Sequence, residues 1–180
     1  MLNRFVLPLG GFVLLTIVLY LGVKNSPDRD NLRSALLGRP APEFTLPDLM
    51  NAGGTLSNAQ FRGKPYVLNV WGTWCVACRY EHETLLELSQ KQDVPIIGLN
   101  WKDETDLAHE WLARLGNPYK AIATDKQGRT AIDFGVTAAP ETFLIDANGV
   151  VQYRLAGPMT HAIWKREFEP RLAGKSVVAE

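Results

Sequence analysis

Three features of the chain predict an α/β domain, a mixed central sheet flanked by helices, carried behind an N-terminal transmembrane helix. Apolar runs at residues 66–71 and 94–99 alternate with stretches of helical periodicity, the pattern of buried parallel strands joined by helices. Residues 142–146 and 150–154 flank Ala147-Asn148-Gly149, a hairpin signal that adds antiparallel strands to that sheet. Residues 5–23 carry no charge and are long enough to cross a bilayer as a helix.

Residues 1–24 are read as the membrane anchor, 25–39 as a polar juxtamembrane linker and 40–175 as the globular domain. Pro8 falls in the first turn or so of the apolar run, where a proline is tolerated. The sequence Leu21-Gly22-Val23-Lys24-Asn25-Ser26 offers no small-x-small cleavage site, which favours an uncleaved anchor over a signal peptide. Charge leaves the orientation open. Arg4 and the terminal amine precede the run, while Lys24, Arg29, Arg33 and Arg39 follow it. A positive-inside count thus favours a cytoplasmic domain, yet large domains translocate largely regardless of such charges. Nineteen basic and nineteen acidic residues among 180 leave no net field to attract nucleic acid.

Within the domain, residues 43–46 alternate polar and apolar before Pro47, and Gly53-Gly54 turns the chain into a partner strand at Thr55-Leu56. Residues 66–71 read as a strand in the middle of the sheet. A helix begins near Cys75 and runs to about residue 90, with Cys78, Leu85 and Leu88 on one stripe and Glu81 between them. Residues 94–99 form a second buried strand. Asp103 is expected to cap a helix through Leu107, Ala108, Trp111 and Leu115, closed by Gly116 with Pro118 beyond it. A short strand at 121–124, a short helix near 129–134, the hairpin and a closing helix at 160–173 complete the order.

The only two cysteines stand in Trp74-Cys75-Val76-Ala77-Cys78, directly after an apolar strand and at a helix start. That placement makes a redox dithiol the leading reading. The free N–H groups and positive dipole end of the helix favour a thiolate at Cys75, and Cys78, one turn on, can resolve a mixed disulfide by closing a ring. A zinc site needs four ligands, and the second pair is missing, since His109 and His161 are isolated from Cys78 and His82. A structural disulfide here would close too short a loop to constrain the unfolded chain. No cofactor is called for.

Several spaced motifs carry a resemblance. They are Asn69-Val70-Trp71-x-x-Trp74-Cys75-x-x-Cys78-Arg79-x-Glu81-His82, Asn100-x-Lys102-Asp103, Leu115-Gly116-Asn117-Pro118-Tyr119 and Ala139-Pro140-Glu141-Thr142-Phe143-Leu144-Ile145-Asp146. Together they resemble the membrane-anchored thiol:disulfide interchange proteins of cytochrome c maturation, the CcmG/DsbE type, over residues 38–170. The resemblance implies a thioredoxin-like fold on a single-pass anchor in the bacterial inner membrane, with the domain facing the periplasm. It implies a reductant of the haem-attachment disulfide of apocytochrome c, acting directly or through a dithiol partner protein and recharged by a transmembrane thiol reductase. Two departures stand out: Val76-Ala77 where the family often has a proline, and Ala138 where glycine is common.

On this reading Cys75 is the nucleophile, at the exposed end of the site, and Cys78 the resolving thiol one turn deeper. By resemblance Pro140 is a cis proline facing the pair, and the backbone of Ala139 hydrogen-bonds an incoming substrate strand. Trp74 shields one side. Glu81 lies on an apolar stripe where a carboxylate is costly without a partner or a task. Glu141 is expected near the pair as a second acid, and anionic charge beside the sulfurs disfavours thiolate, which suits a reductant. The alternatives are a membrane-tethered metallochaperone on the same fold, a thiol peroxidase, or a general thioredoxin-like thiol reductase.

Overall fold

Strand parity decides which side chains meet in the core. The computed structural model describes residues 3–24 and 35–174, so most of the expected linker, residues 25–34, and residue 175 lie outside the described residues. The chain divides into two compact units, Met1–Leu32 and Arg33–Glu180. In the first, α1 (Asn3–Lys24) is a 22-residue helix with Pro8 inside it. Its side chains are described from residue 8 to residue 22 and are exposed, Leu9, Phe12 and Leu19 among them. Among the described residues no helix is long and apolar enough to cross a membrane.

In the second unit, β1 (Thr45–Pro47) and β2 (Thr55–Ser57) form the small antiparallel pair expected around Gly53-Gly54. The main sheet contains β3 (Tyr66–Trp71), β4 (Ile96–Trp101), β5 (Ala121–Asp125), β6 (Glu141–Ile145) and β7 (Val151–Ala156). Its order is β5-β4-β3-β6-β7, with β3, β4 and β5 parallel and β6 and β7 antiparallel to their neighbours. The mixed sheet follows from the sequence. Helical crossovers α2 (Val76–Lys91) and α3 (Thr105–Leu115) return the chain in parallel, while the turn ending at Gly149 (φ 82°) reverses it. The short α4 (Arg129–Asp133) precedes β6.

Alternate residues of the central strand feed two cores. Val67 and Trp71 join Leu85 and Leu88 of α2, Trp111 and Leu112 of α3, and Trp164 and Phe168 on one face. Leu68 and Val70 join Phe134, Phe143 and the N-terminal Phe44 and Leu56 on the other. Burying Leu85 and Leu88, 1% and 3% exposed, contributes about 2 kcal/mol each. The closing segment departs from the regular helix expected. It runs as α5 (His161–Ile163), a π-helical turn (Trp164–Phe168) and α6 (Glu169–Leu172). Pro170 has no N–H and would strike the carbonyl of Arg166 in a regular helix, and the wider turn relieves that conflict.

Candidate active site

The end of β3 delivers the cysteines to the start of α2. Cys75 is the N-cap of α2, with extended backbone, and its Sγ accepts from the Cys78 N–H at 3.0 Å. No acidic residue stands in the first turn to neutralise the dipole. The two sulfurs are joined, with Cα atoms 5.3 Å apart. Exposure does not separate them as expected: Cys75 is 4% and Cys78 3% exposed. Packing against the apolar core on this face covers the disulfide of both residues, so position along α2, not exposure, distinguishes their roles.

The loop before Cys75 is tied down by Asp103. Its carboxylate accepts from the Thr73 N–H (2.7 Å), the Thr73 hydroxyl (2.6 Å), the Asn100 amide (2.8 Å) and the Glu104 N–H (2.9 Å). This corrects the expected cap: Glu104 is the N-cap residue of α3, without a side-chain bond, and Asp103 instead clamps the catalytic loop to the end of β4. Trp74 donates from its indole to the Trp101 carbonyl at 3.0 Å and meets the Trp101 ring edge-on. It remains 49% exposed, a surface aromatic braced by β4. A Cβ on Gly72 would lie 2.5 Å from that indole nitrogen, so only glycine lets the loop fold this tightly.

The Ala139–Pro140 bond is cis. Ala139 packs, partly buried, against the core cluster that includes both cysteines, and it lies just outside the β6 ladder, which begins at Glu141. Glu141 itself is not where the sequence placed it. Residues alternate faces along β6, and Glu141 shares the face of Phe143 and Ile145, opposite the cysteines. There it is 1% exposed, paired with Arg154 at 2.7 Å, and it accepts from the Thr137 N–H, the Thr137 hydroxyl and the Ala138 N–H. Its charge is taken up by Arg154 and by the loop leading to the proline.

Glu81 meets the other description. It is 1% exposed on the stripe of Cys78 and Leu85, one turn beyond Cys78. One oxygen accepts from the Asn69 amide at 2.8 Å and the other from the Met159 N–H at 2.6 Å, with no cation paired to it among the described residues. Burial pushes its pKa up to about 7, against the opposing pull of the Met159 and Asn69 donors. Next to it, His82 faces the Gly116 carbonyl at 3.0 Å through Nε2 and takes the Trp111 indole N–H at Nδ1. Both ring nitrogens are thereby engaged, and burial, more than the Gly116 and Leu115 carbonyls offset, lowers its pKa.

Sequence reasoning missed Asn69, Tyr119, Thr142, Met159 and Arg154. Asn69 carried a readable signal, a carboxamide in the middle of a strand buried at every position. Tyr119 donates to Asn69 Oδ1 at 2.9 Å, and Asn69 also donates to Thr142 at 3.0 Å.

A Cys-x-x-Cys disulfide at a helix N-terminus, a buried acid one turn behind it and a cis proline leading into β6 define a thiol:disulfide oxidoreductase of thioredoxin-like fold. Residues 36–169 match the Redoxin family. The chain is 46% identical over 160 residues to the thiol:disulfide interchange protein DsbE of Xylella fastidiosa, covering 89% of this chain and 79% of that one. With the Vibrio cholerae DsbE it shares 47% over 167 residues, covering 91% and 90%. A solved structure proposed as a DsbE from Chlorobium tepidum superposes with a TM-score of 0.65 at 26% identity, over 76% of this chain and 94% of that one. The chain belongs to the Redoxin family and, within it, to the DsbE-type thiol:disulfide interchange proteins.

Proposed function

We propose that this protein is a periplasmic reductant of the haem-attachment disulfides of apocytochrome c, tethered to the inner membrane and recharged by a transmembrane thiol reductase. The observation that carries the reductant reading is Glu81, a buried acid without a cation one turn from Cys78. Its negative charge opposes thiolate, destabilises the reduced pair and so lowers the reduction potential. The tether rests on the uncharged run at residues 5–23 and on the family resemblance. The compartment and the cytochrome substrate rest on the family resemblance.

The exchange conserves two electrons and two protons. The Cys75 thiolate, favoured by the dipole of α2, attacks one sulfur of the partner disulfide, and the other partner sulfur leaves as thiolate and is protonated by water. The Cys78 thiol then gives its proton to the Glu81 carboxylate. Cys78 sulfur attacks Cys75 Sγ, the Cys75–Cys78 bond forms, and the second partner thiolate departs and takes a proton from water. Glu81 then releases the Cys78 proton to water, where Cys75 gave up its own on ionising, so the two protons the partner gains are balanced by two the protein loses. The protein is oxidised by one disulfide and the partner reduced by one. Ala139, beside the pair, offers its backbone to the partner strand, Trp74 borders that strand, and Pro140 keeps the approach open. Glu141 holds the Pro140 loop in place from the far face.

The reading is tested with the reduced full-length protein, an oxidised peptide bearing the Cys-x-x-Cys-His haem-attachment sequence, and insulin as a general disulfide. Faster reduction of the peptide, by about tenfold or more, is expected from a dedicated reductant, tenfold being about 1.4 kcal/mol of transition-state preference. Equal rates would make the protein a general thiol reductase. A reporter active only in the cytoplasm, fused after Glu180, should stay silent; activity there would overturn the periplasmic assignment.

A further inference from the structure

The polar cluster beneath α2 is built to one orientation. Asn69 is fully buried in the middle of β3, on the face of Val67 and Trp71. Its Oδ1 accepts from the Tyr119 hydroxyl at 2.9 Å, and its Nδ2 donates to Glu81 Oε1 at 2.8 Å and to Thr142 Oγ1 at 3.0 Å. A carboxamide can present either its oxygen or its NH2 group to a neighbour, and the two differ by a half rotation. With the Tyr119 hydroxyl donating into the oxygen, the NH2 group is left to face Glu81. Tyr119 is itself fixed. Its ring stacks on Trp71 with centroids 5.3 Å apart, above Gly98, where a Cβ would come within 3.1 Å of the phenol ring. Its N–H is held by Asn117 Oδ1 at 2.9 Å.

We propose that Tyr119, acting through Asn69, is a positioning residue that keeps Glu81 a proton acceptor while the Cys75–Cys78 disulfide closes. The inference rests on the reading that Glu81 takes the Cys78 proton. Every polar group directed at the carboxyl is a donor: the Asn69 amide from β3 and the Met159 N–H from the segment before α5. The ionisable groups placed about it are Tyr119, whose own pKa burial and the Glu81 charge both raise, and Cys78, one turn before it on α2. His82 turns away to Gly116 and Trp111, and Thr142 of β6 is occupied by Asn69. Without the phenol hydroxyl, Asn69 is free to rotate. Its oxygen then accepts from a protonated Glu81, and the carboxyl holds its proton more tightly.

The test uses the full-length protein in detergent, with Tyr119→Phe alone and combined with Glu81→Gln. Tyr66→Phe serves as the control, since Tyr66 is a buried phenol bonded to Asn58 on the opposite face of the sheet. Infrared absorption of the Glu81 carboxyl against pH reads its proton affinity, and the rate at which Cys78 resolves a Cys75 mixed disulfide, against pH, reads its task. Tyr119→Phe should raise the proton affinity about tenfold, the scale of one hydrogen bond to a charged group, and shift the resolution profile to higher pH by the same amount. Tyr66→Phe should move neither, and Tyr119→Phe should have no effect on resolution once Glu81 is glutamine. An unmoved carboxyl titration in Tyr119→Phe, or an effect that persists in the Glu81→Gln background, would overturn the proposal. A Glu81→Gln protein with the parent's resolution profile would overturn it together with the proton-acceptor reading of Glu81.

Discussion

Replacing Glu81 with glutamine removes an ionisation that burial opposes, and its signature is a pH-dependent stability. In the folded protein the carboxyl titrates near 7, and in the unfolded chain near its ordinary 4.5. Between those values the native state holds a proton that the unfolded chain has lost, so stability falls as pH rises through the window. The difference, 7 − 4.5 = 2.5 units at about 1.36 kcal/mol each, gives about 3 kcal/mol, undiminished by solvent because Glu81 is 1% exposed. The contribution is complete below about pH 4.5 and gone above about pH 7. The assay is guanidinium unfolding of the oxidised segment from Arg33 onward, which contains both core clusters, at steps from about pH 4 to about pH 8. Subtracting the Glu81→Gln curve from the parent curve cancels every shared titration, His82 included. Glutamine sets an NH2 or an oxygen where the carboxylate met two donors, and that misfit displaces the difference curve vertically without changing its slope. A difference that stays flat from about pH 4.5 to about pH 7 would refute the claim that the buried carboxyl changes proton affinity on folding.

Two further outcomes follow from the site. Arg154→Met should destabilise the domain by about 3–5 kcal/mol, because it leaves the Glu141 carboxylate buried without its cation; a loss below about 1 kcal/mol in denaturant unfolding would mean that the ion pair does not hold the Pro140 loop. Cys78→Ser should accumulate a mixed disulfide between Cys75 and its partner, seen as a band lost on reduction. Accumulation through Cys78 in Cys75→Ser, and not the reverse, would exchange the attacking and resolving roles.

The order of elements was legible because each strand and helix announced itself locally. The apolar run before Cys75 became the buried β3, and Ala147-Asn148-Gly149 became the reversal between β6 and β7. What the sequence misplaced depends on pairings between distant residues. Asp103 stands just before α3 with the chemistry of a cap, and locally nothing distinguishes that use from a bond to Thr73, 30 residues earlier. Only the parallel register of β3 and β4, which sets Trp71 opposite Asn100, brings the two loops within reach. The π-helical turn at Trp164 is a local departure of another kind. Its cause, Pro170, stands in the sequence six residues on, with no N–H for the helical ladder.

The two glutamates show how far residue type alone carries an argument about chemistry. One sits on the helix that carries the disulfide and the other directly after the cis proline, each is 1% exposed, and the sequence assigned both to the same task. Parity separates them. Asn69 of β3 is paired with Thr142 of β6, and both turn toward α2, so Glu141, one residue earlier, turns to the opposite face. There Arg154, projecting from β7, neutralises it. Glu81 finds an amide and a backbone N–H, donors without a charge, and its ionisation is opposed by burial. An acid stripped of a cation in this way is poised to exchange a proton near neutrality, and an acid bound to arginine is a strut. The difference lies in a strand register fixed by residues some seventy positions apart along the chain, as the Asn69–Thr142 bond is (73 positions).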